Sequence, residues 1–421
     1  MANGLTVTLH DRIGNVFSAE WDALFAGEAE GWAYLAAVED AAIPGFELFY
    51  VAVRREGRLV AAAPGFITDY RLDTTVQGPA RVVTDAIARL APNILRLKLI
   101  SLGSPVTETA CIGVLSSEPD GALLVAALYE GLESKARAQG IGLIAVKDIP
   151  ADFSDAVRAA GGAKLNPMSS LPTAVLDLDG VSDLESYLAS LSYATLKDLR
   201  RKLKGSAVAV ERVRDLTPHA EAIDHLYAST RARAAMQFEA LSSGYFQAVL
   251  DRMGESAALF LYRLGDEVIG FSLLVGSNGV WIDKYFCTDE RGPPSNLYFV
   301  SWIETVKFVL ASGGRRLVAG QTAYETKLRF GCRLEPTTIF FRHRFPPVNA
   351  MLALASRFLG VEETDPALRG RADSLSPSMG ERLERGGQDA NGSTTSVDHP
   401  QPPPLPHRGG REASPPQSSP S

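Results

Sequence analysis

The pattern of apolar and polar positions is most informative between residues 280 and 331. There it predicts a strand, a loop, a helix, a second strand and a short polar helix. The predicted bounds are Val280–Cys287, Thr288–Asn296, Leu297–Leu310, Arg315–Gly320 and Tyr324–Phe330. Successive side chains of a strand point to opposite faces. Period-two alternation therefore predicts that Trp281, Asp283, Tyr285 and Cys287 share one face of the first strand.

This first strand carries an unusual run of polar side chains. Asp283, Lys284 and Tyr285 occupy consecutive positions of an otherwise apolar segment, and burying such groups without partners is costly. The loop after the strand leads into a helix whose first N–H groups have no partner within the helix, and Ser295 or Asn296 is a candidate cap. Unpaired N–H groups at a helix start attract anions. The pattern thus predicts an anion site beside a polar strand.

The same order of elements occurs twice along the chain. Two hairpins are alike, VAVRREGRLVAAAPGF from residue 51 and LYRLGDEVIGFSLLVG from residue 261. Each is followed by a further strand, a long helix, a buried strand and a short helix. We therefore predict an α/β (α+β) fold of two tandem units with mixed central sheets flanked by helices, over residues 1–180 and 181–361. The strands predicted to close the two units are Leu171–Leu178 and Thr337–Arg344.

Composition and charge narrow the class of protein. With 421 residues, 46% of them hydrophobic and 22% charged, the chain can bury a large core. A net charge of −7 excludes a uniformly basic nucleic-acid-binding protein but leaves room for a local basic patch. The segment MANGLTVTLHDRIG is not typical of a signal peptide, and no apolar run reaches the roughly 20 residues that cross a bilayer, so we expect a cytoplasmic protein. The scattered Cys111, Cys287 and Cys332 predict neither disulfides nor a metal site.

The end of the chain has a different composition. From about residue 362 the hydrophobic periodicity is lost, and beyond Gly386 Gly, Ser, Pro and His accumulate. Such a segment cannot bury enough apolar area to offset its conformational entropy. Residues 362–421 are therefore predicted to form a disordered tail.

Three stretches carry a family resemblance. They are SLSYATLKDLRRKLK (Ser190–Lys204), ERGPPSNLYFVSWIETVKFVLASGG (Glu290–Gly314) and GQTAYETKLRFG (Gly320–Gly331). With the order of elements, they resemble the GNAT superfamily of acyltransferases, and the doubled arrangement resembles the Fem-type peptidoglycan transferases and their bacterial acetyltransferase relatives. The last stretch is similar to the family's closing motif, a Tyr and a Lys before an Arg/Phe-Gly pair. The resemblance implies N-acyl transfer from acyl-CoA to an amine acceptor, either a small molecule or a lipid or peptidoglycan precursor.

The predicted anion site is the expected place for the donor. The residues predicted to bind acyl-CoA are Arg291, Gly292, Ser295, Asn296 and Lys327. The loop departs from the commonest GNAT pattern, because Pro293-Pro294 replace Gly-x-Gly/Ala and proline lacks a backbone donor. Two alternatives remain open: an aminoacyl-tRNA donor, as the Fem enzymes use, and a non-catalytic scaffold that binds a ligand or partner. The lack of a long helical-hairpin insertion between Arg200 and Glu290 favours acyl-CoA.

Acyl transfer to an amine needs a base and donors for the developing oxyanion. Asp283 is the candidate base, because partial burial raises the pKa of a carboxyl group toward neutrality. An ion pair with Lys284 or Lys327 is an equally good interpretation of Asp283. Tyr285 and Tyr324 are candidate acids, and each is also typical of a core tyrosine with a satisfied hydroxyl.

Two further sets of polar residues are candidates for binding. The helix predicted over Leu191–Lys204 places Lys197, Arg200, Arg201 and Lys204 on one face, either a solvated surface or an electrostatic funnel for a phosphate-bearing donor. In the first half, a polar set is predicted to select the acceptor at a cleft between the units, or else to cross-link a long loop. Its members are Asp69, Arg71, Asp73 and Glu108.

Overall fold

The computed structural model describes residues 4–71, 96–234, 238–356 and residue 368. These residues belong to one compact unit of the chain, residues 1–377. Apart from Leu368, which is buried in the core of the second sheet, the predicted tail lies outside the described residues, as does Asp73.

Strands and helices alternate along the described chain. The strands are β1 (Leu5–His10), β2 (Phe46–Arg55), β3 (Arg58–Arg71), β4 (Arg96–Leu102), β5 (Gly113–Val114), β6 (Leu143–Pro150), β7 (Asn166–Ser169), β8 (Thr173–Asp177), β9 (Ala209–Val213), β10 (Ala257–Leu264), β11 (Glu267–Ser277), β12 (Val280–Thr288), β13 (Arg316–Val318), β14 (Arg333–Glu335) and β15 (Thr337–His343). The helices are α1 (Ser18–Leu24), α2 (Trp32–Asp40), α3 (Gly121–Ala138), α4 (Ala151–Gly161), α5 (Leu184–Ser190), α6 (Tyr193–Lys204), α7 (Ala220–Arg233), α8 (Ser243–Met253), α9 (Leu297–Ala311), α10 (Tyr324–Arg329) and α11 (Pro346–Ser356).

These strands form two mixed sheets. The described strands of the first sheet lie in the order β1-β2-β3-β4-β6-β15-β7, with β5 beside β3, and those of the second in the order β14-β8-β13-β12-β11-β10-β9. Each sheet has a parallel pair, β4 with β6 and β12 with β13, among antiparallel neighbours. Helices flank both sheets. The predicted fold class, two mixed sheets in an α/β arrangement, is confirmed.

Both predicted hairpins are present. The first joins β2 and β3 at Glu56 and Gly57, whose φ angles of 50° and 83° are left-handed, as a tight two-residue hairpin turn requires. The second joins β10 and β11 at Gly265-Asp266, with φ of 61° at Gly265. Both hairpin turns could be predicted from the sequence because they contain residues that tolerate a positive φ angle.

The two sheets exchange strands. The predicted closing strand of the first unit, observed as β8, pairs with β13 and β14 in the second sheet, where Leu176 lies opposite Leu317. The predicted last strand, β15, pairs with β6 and β7 in the first sheet, where Phe341 lies opposite Ala145. The two sheets therefore do not follow the boundary predicted at residue 180. As the boundary between the two sequence repeats, residue 180 stays a prediction. Each apolar strand pairs where an edge and a core are available, irrespective of its place in the chain.

A shared core also joins the two halves. Tyr34 and Val38 of α2 pack with Leu226 of α7 and with Phe246 and Leu250 of α8. Burial of this apolar surface holds the two halves together around a shared core. Among the described helices, none combines the length and the apolar character that crossing a membrane requires.

Candidate active site

The second sheet splits beside β12. Val280–Ile282 pair in parallel with Arg316–Val318, and β13 then ends. Past this point the chain turns to β8, because Ala319 N–H donates to Ala174 O (2.7 Å) and Ala174 N–H donates to Gly320 O (3.1 Å). β12 continues to Thr288, so its edge from Asp283 onward has no β13 partner. We call the residues gathered at this opening, Asp283, Lys284, Tyr298, Lys327 and Glu108, the strand-split site.

A β-bulge in β12 sets which side chains face the split. Asp283 lies opposite Leu274 of β11, whereas Tyr285 lies opposite Leu273, so Lys284 is an extra residue in the ladder. The prediction that Trp281, Asp283, Tyr285 and Cys287 share one face is therefore wrong. Asp283 faces the core of α9 and α10, as Trp281 does, and Tyr285 faces the core between the halves, as Cys287 does. The inserted residue reverses the alternation at mid-strand.

Lys284 ties the two halves together. Its side chain is 3% exposed, and Nζ lies 2.6 Å from Glu30 Oε1 and 3.1 Å from Glu108 Oε1. Glu108 N–H donates to both oxygens of Glu30, at 3.0 and 3.3 Å. Burial alone lowers the pKa of Lys284, but the two carboxylates outweigh it and raise that pKa. The group is a fully paired ammonium.

Asp283 is the opposite case. Its Oδ1 is buried and has no hydrogen-bond partner among the described residues, although part of the residue reaches solvent at the split. Burial raises the pKa of Asp283 to about 7, against the lowering effect of the Lys327 charge and with a smaller increase from Glu108. No described ion pair within 4.0 Å includes Asp283. The predicted pairing with Lys284 is wrong, because Lys284 is taken by Glu30 and Glu108.

Lys327 lies on α10, on the same side of β12 as Asp283. It is 5% exposed, and burial lowers its pKa while the Asp283 charge raises it. No described carboxylate lies within ion-pair distance of Nζ. Asp283 and Lys327 thus influence each other without forming an ion pair, and both retain their capacity to bind a ligand. Arg329, on the same helix, pairs with Asp198 of α6 at 3.3 Å.

Glu108 is the residue that the first half of the chain contributes to the strand-split site. Its Oε1 bonds Lys284, and its Oε2 accepts no hydrogen bond from a described residue. A side-chain carbon placed at Gly320 would lie 3.9 Å from this Oε2 and 3.8 Å from the Asp283 carbonyl oxygen. The structure therefore brings together the predicted acceptor-binding Glu108 and the predicted base Asp283, which are 175 positions apart in the chain.

In the loop before α9, several N–H groups predicted to hold an anion are hydrogen-bonded within the loop, and the anion site stays a prediction. Gly292 N–H donates to Asp289 O, Asn296 N–H to Pro293 O and Leu297 N–H to Gly292 O, at 3.1–3.3 Å. Ser295 uses both its N–H and its hydroxyl on carbonyl oxygens of the loop, including that of Arg291. The N–H groups expected to hold an anion close the loop on itself, because a compact turn satisfies them locally.

Arg291 and Asn296 are also engaged. Arg291 pairs with Asp289 (2.5 Å) and with Glu267, so its guanidinium is neutralised inside the loop. Asn296 is left-handed (φ 54°) and makes no side-chain cap; its Nδ2 lies 3.5 Å from Lys202 O. The capping predicted for Ser295 or Asn296 is wrong, and of the predicted donor-binding set Lys327 is the member that retains an unpaired charged group.

Both candidate acids are anchored in cores. Tyr324 is 1% exposed, and its hydroxyl donates to Pro172 O at 2.7 Å. The Tyr285 ring packs edge-on against Tyr227, Tyr245 and Phe246, its hydroxyl lies 3.5 Å from Glu239 Oε1, and burial raises its pKa well above the usual range. The contacts of both match the structural interpretation of these tyrosines.

Of the other first-half candidates, Asp69 and Arg71 belong to the described strand β3. Asp69 was predicted to lie in a loop but is an exposed residue of β3, opposite Lys98 of β4. No hydrogen bond or ion pair joins Asp69 to the described residues of the strand-split site. Arg71 ends β3, and Asp73 lies outside the described residues.

The basic helix, α6, has the predicted faces. Lys197, Arg200, Arg201 and Lys204 are exposed, whereas Leu191 and Leu199 are buried. Arg201 and Lys202 pair with Asp198, and Lys202 also stacks on the Phe299 ring of α9 at 3.6 Å. The helix therefore packs beside the first turn of α9, next to the strand-split site.

Two residues were missed from the sequence: Tyr298 of the strand-split site, and Glu30, which pairs with Lys284 of that site. Glu30 lies in a Gly- and Ala-rich loop far from β12 in sequence, and only tertiary packing brings it to Lys284. Tyr298 sits in an apolar helix, LYFVSWIETVKFVLA, where it is typical of a core residue. A possible signal for Tyr298 was its place immediately after the loop that follows the polar strand.

Comparisons with known proteins give a family match for part of the chain. Residues 192–328 match the model of the acetyltransferase (GNAT) domain. The chain is 24% identical over 333 residues to the putative 8-amino-7-oxononanoate synthase 2 of Mycobacterium tuberculosis, in strains CDC 1551 / Oshkosh and H37Rv. That alignment covers 76% of this chain and 42% of the relative, so the chain spans less than half the length of the curated relatives it matches.

The solved structure of FemX extends the likeness in fold beyond the matched domain. The crystal structure of FemX superposes with a TM-score of 0.55 at 14% identity, over 80% of this chain and 98% of FemX. A tandem GNAT protein from the clavulanic acid biosynthesis pathway gives a TM-score of 0.49 at 13% identity, over 81% of this chain and 99% of that one. The sequence-based resemblance is confirmed: residues 192–328 match the GNAT acetyltransferase domain, and the fold of the chain is similar to that of FemX.

Proposed function

We propose that this chain is an N-acyltransferase in which Asp283 is the general base. The observation that carries this proposal is the buried, unpaired Oδ1 of Asp283 at the strand-split site. A carboxyl group with a pKa of about 7 is partly ionised at neutral pH and a much stronger base than an exposed carboxylate. The proposal places the substrate amine beside Asp283, at the edge of β12 that has no β13 partner.

In the proposed reaction an amine nitrogen attacks the carbonyl carbon of an acyl donor. The C–N bond forms, Asp283 accepts the proton that the amine loses, and the bond to the carrier breaks as the carrier leaves with the electron pair. Lys327 contributes an unpaired cation on the same side of β12, suited to an anionic group of a substrate. Glu108, with a free Oε2 at the split, is proposed to accept a hydrogen bond from the neutral acceptor amine and so orient it for the attack.

Acyl-CoA is the first proposed donor, on the strength of the GNAT domain match. The closed loop before α9 favours a second candidate, aminoacyl-tRNA. Several of its N–H groups are bonded within the loop, and Arg291 is paired with Asp289 and Glu267. By contrast, Lys197, Arg200 and Lys204 of α6 are exposed and have no described partners. A phosphate backbone binds such exposed, unpaired cations. The proposed acceptor is an amine of a small molecule, a lipid or a peptidoglycan precursor.

Binding and transfer assays test the proposal. Thermal shifts are measured with coenzyme A, acetyl-CoA, palmitoyl-CoA, aminoacylated tRNA and uncharged tRNA, because a ligand stabilises the folded state in proportion to RT ln(1 + [L]/Kd). Each donor is then incubated with lysine, a lysine-bearing peptidoglycan stem peptide and phosphatidylethanolamine vesicles, and acylated product is detected by mass spectrometry. Asp283→Asn is the matched control.

The expected result is that one donor stabilises both proteins to within a few-fold in Kd, and that the parent alone makes product at an appreciable rate. Binding without product in either protein would favour the non-catalytic scaffold. If none of the donors bound or reacted, the proposed function would be overturned.

A further inference from the structure

A second polar group near Asp283 has no partner. The hydroxyl of Tyr298, in the first turn of α9, is buried and makes no hydrogen bond to a described residue. The ring is held edge-on against Phe286 of β12 (5.6 Å between centroids) and Phe299 (6.0 Å). Because Phe286 points to the same side of β12 as Asp283, the hydroxyl is fixed on the side where the base lies.

Other buried tyrosines of this half behave differently. The Tyr187 hydroxyl donates to Phe330 O (2.9 Å) and accepts from Trp302 Nε1 (2.9 Å), and the Tyr262 hydroxyl bonds Ser272 Oγ (2.7 Å). Buried polar groups in native proteins are nearly always paired, and an unpaired one costs about 1–3 kcal/mol. Asp283 Oδ1 and the Tyr298 hydroxyl are two of the seven buried side-chain atoms of the described residues that lack a partner, and these two lie on the same side of β12.

The electrostatics link these two groups. Burial raises the pKa of Tyr298, and the negative charge of Asp283 raises it further. A phenol in this setting keeps its proton, so it donates a hydrogen bond without transferring the proton. Such a donor, held in place before the reaction, stabilises negative charge that develops on a neighbouring oxygen.

Resting on the proposed function, we propose that the Tyr298 hydroxyl donates a hydrogen bond to the carbonyl oxygen of the acyl donor as that oxygen becomes an oxyanion. When the amine lone pair forms the C–N bond, the π electrons of the carbonyl move to oxygen, and the Tyr298 hydrogen bond shortens onto it. The electrons return when the bond to the carrier breaks. Tyr298 gains and loses no proton, while Asp283 takes the amine proton.

Tyr298→Phe tests this role, with Tyr129→Phe as a matched control. Tyr129 also has a buried hydroxyl without a described partner, but it belongs to the core of the first sheet. Neither variant breaks a described hydrogen bond, so both are expected to keep the parent melting temperature. Kinetics use whichever of acetyl-CoA, palmitoyl-CoA or aminoacylated tRNA gives product, with its amine. We expect kcat to fall about 10²–10³-fold in Tyr298→Phe, the usual effect of losing one oxyanion donor, with KM within a few-fold.

The pH profile separates this role from that of the base. Tyr298→Phe is expected to retain the acidic limb of the rate profile, whereas Asp283→Asn is expected to lose it. If Tyr298→Phe turned over within three-fold of the parent while Asp283→Asn was inactive, the role of Tyr298 would be overturned and the proposed function would stand. If Asp283→Asn had normal activity, or no donor gave product, the proposed function would fail and the role of Tyr298 with it. A loss of kcat in Tyr129→Phe equal to that in Tyr298→Phe would also contradict the assignment.

Discussion

The two sides of β12 use charge in opposite ways. On one side, Lys284 is paired with Glu30 and Glu108, and all three are held by short contacts across the two halves. On the other side, the side chains of Asp283 and Tyr298 are partly buried, that of Lys327 is buried, and none of the three forms a hydrogen bond or ion pair with a side chain that the structure describes. The β-bulge at Lys284 separates the two sets.

The difference has a physical meaning. A buried charge with partners fixes an arrangement, and removing one partner leaves the others uncompensated. A buried polar group without partners costs stability in the free protein and recovers that free energy when a ligand arrives. We infer that the paired set holds the halves in register, and that the unpaired set is kept for the reaction.

The largest expected effect is that of Asp283→Asn on turnover. The amide keeps the shape of the carboxyl group but is not a base, so we expect kcat to fall by about 10²–10⁴-fold. The acidic limb of the rate profile, centred near the pKa of about 7, should disappear. Steady-state rates between pH 5 and 9 on parent and variant check both results, and an unchanged profile would contradict the assignment.

The same substitution has a defined effect on stability. The folded-state pKa of Asp283 is raised to about 7, while an unfolded aspartate titrates near 3.9. Its contribution to stability is therefore fully present below about pH 4 and is lost as pH rises through about 7. The melting temperature of Asp283→Asn relative to the parent should increase over that range. A relative decrease would mean that Asp283 is paired after all.

The next largest expected effect is a loss of stability when the paired set of Lys284, Glu30 and Glu108 loses a charge. Lys284→Met removes the ammonium and leaves Glu30 buried with an uncompensated charge, so we expect the free energy of unfolding to fall by about 3–5 kcal/mol. Denaturant unfolding of Lys284→Met, Glu30→Gln and the double variant forms a thermodynamic cycle. A large coupling energy is expected, because the double variant removes both charges of the 2.6 Å pair. Additive losses would show that the pair does not hold the halves.

A smaller effect should distinguish paired from unpaired hydroxyls. Tyr187→Phe removes one donor to Phe330 O and one acceptor for Trp302 Nε1, and we expect it to cost about 1–3 kcal/mol of stability with kcat unchanged. Tyr298→Phe is expected to show the reverse, lost turnover with stability retained. Denaturant unfolding and steady-state kinetics on both variants make the comparison. If both variants lost the same free energy of unfolding, the Tyr298 hydroxyl would have a partner.

The smallest expected effect is that of reversing the exposed, unpaired charges of α6 on the KM for the donor. Reversing Lys197, Arg200 and Lys204 of α6 to Glu is expected to leave the fold intact, because these side chains are exposed. The KM for the donor should rise roughly ten-fold at low salt and approach the parent value at high salt, since exposed charges are screened. Reversal of the exposed first-half residues Arg12, Arg58 and Lys164 is the matched control. Equal KM values in all three proteins would make α6 an ordinary solvated surface.

Much of the local structure could be predicted from the sequence because it depends on residues that are close together in the chain. Both hairpins, the strand β12, the helix α9 and the faces of α6 follow from turn residues and hydrophobic periodicity. The candidate base was also readable, since an aspartate in an apolar strand is conspicuous. The loop before α9 was not, because whether its N–H groups face an anion or their own carbonyl groups depends on dihedral angles such as the left-handed Asn296.

By itself, the sequence determined the order of strands and helices, the repetition of one α/β unit, the GNAT resemblance and the place of Asp283 on a central strand. The tertiary structure alone decided the exchange of β8 and β15 between the sheets, the bulge that turns Tyr285 away from Asp283, and the pairing of Lys284 with Glu30 and Glu108. The physical reason is the separation along the chain over which each kind of interaction acts. Periodicity and turn chemistry act over a few residues, whereas strand pairing and the partnering of buried charges join groups as far apart as Glu30 and Lys284. Their partners are chosen by which edges and charges remain unsatisfied when the chain closes on itself.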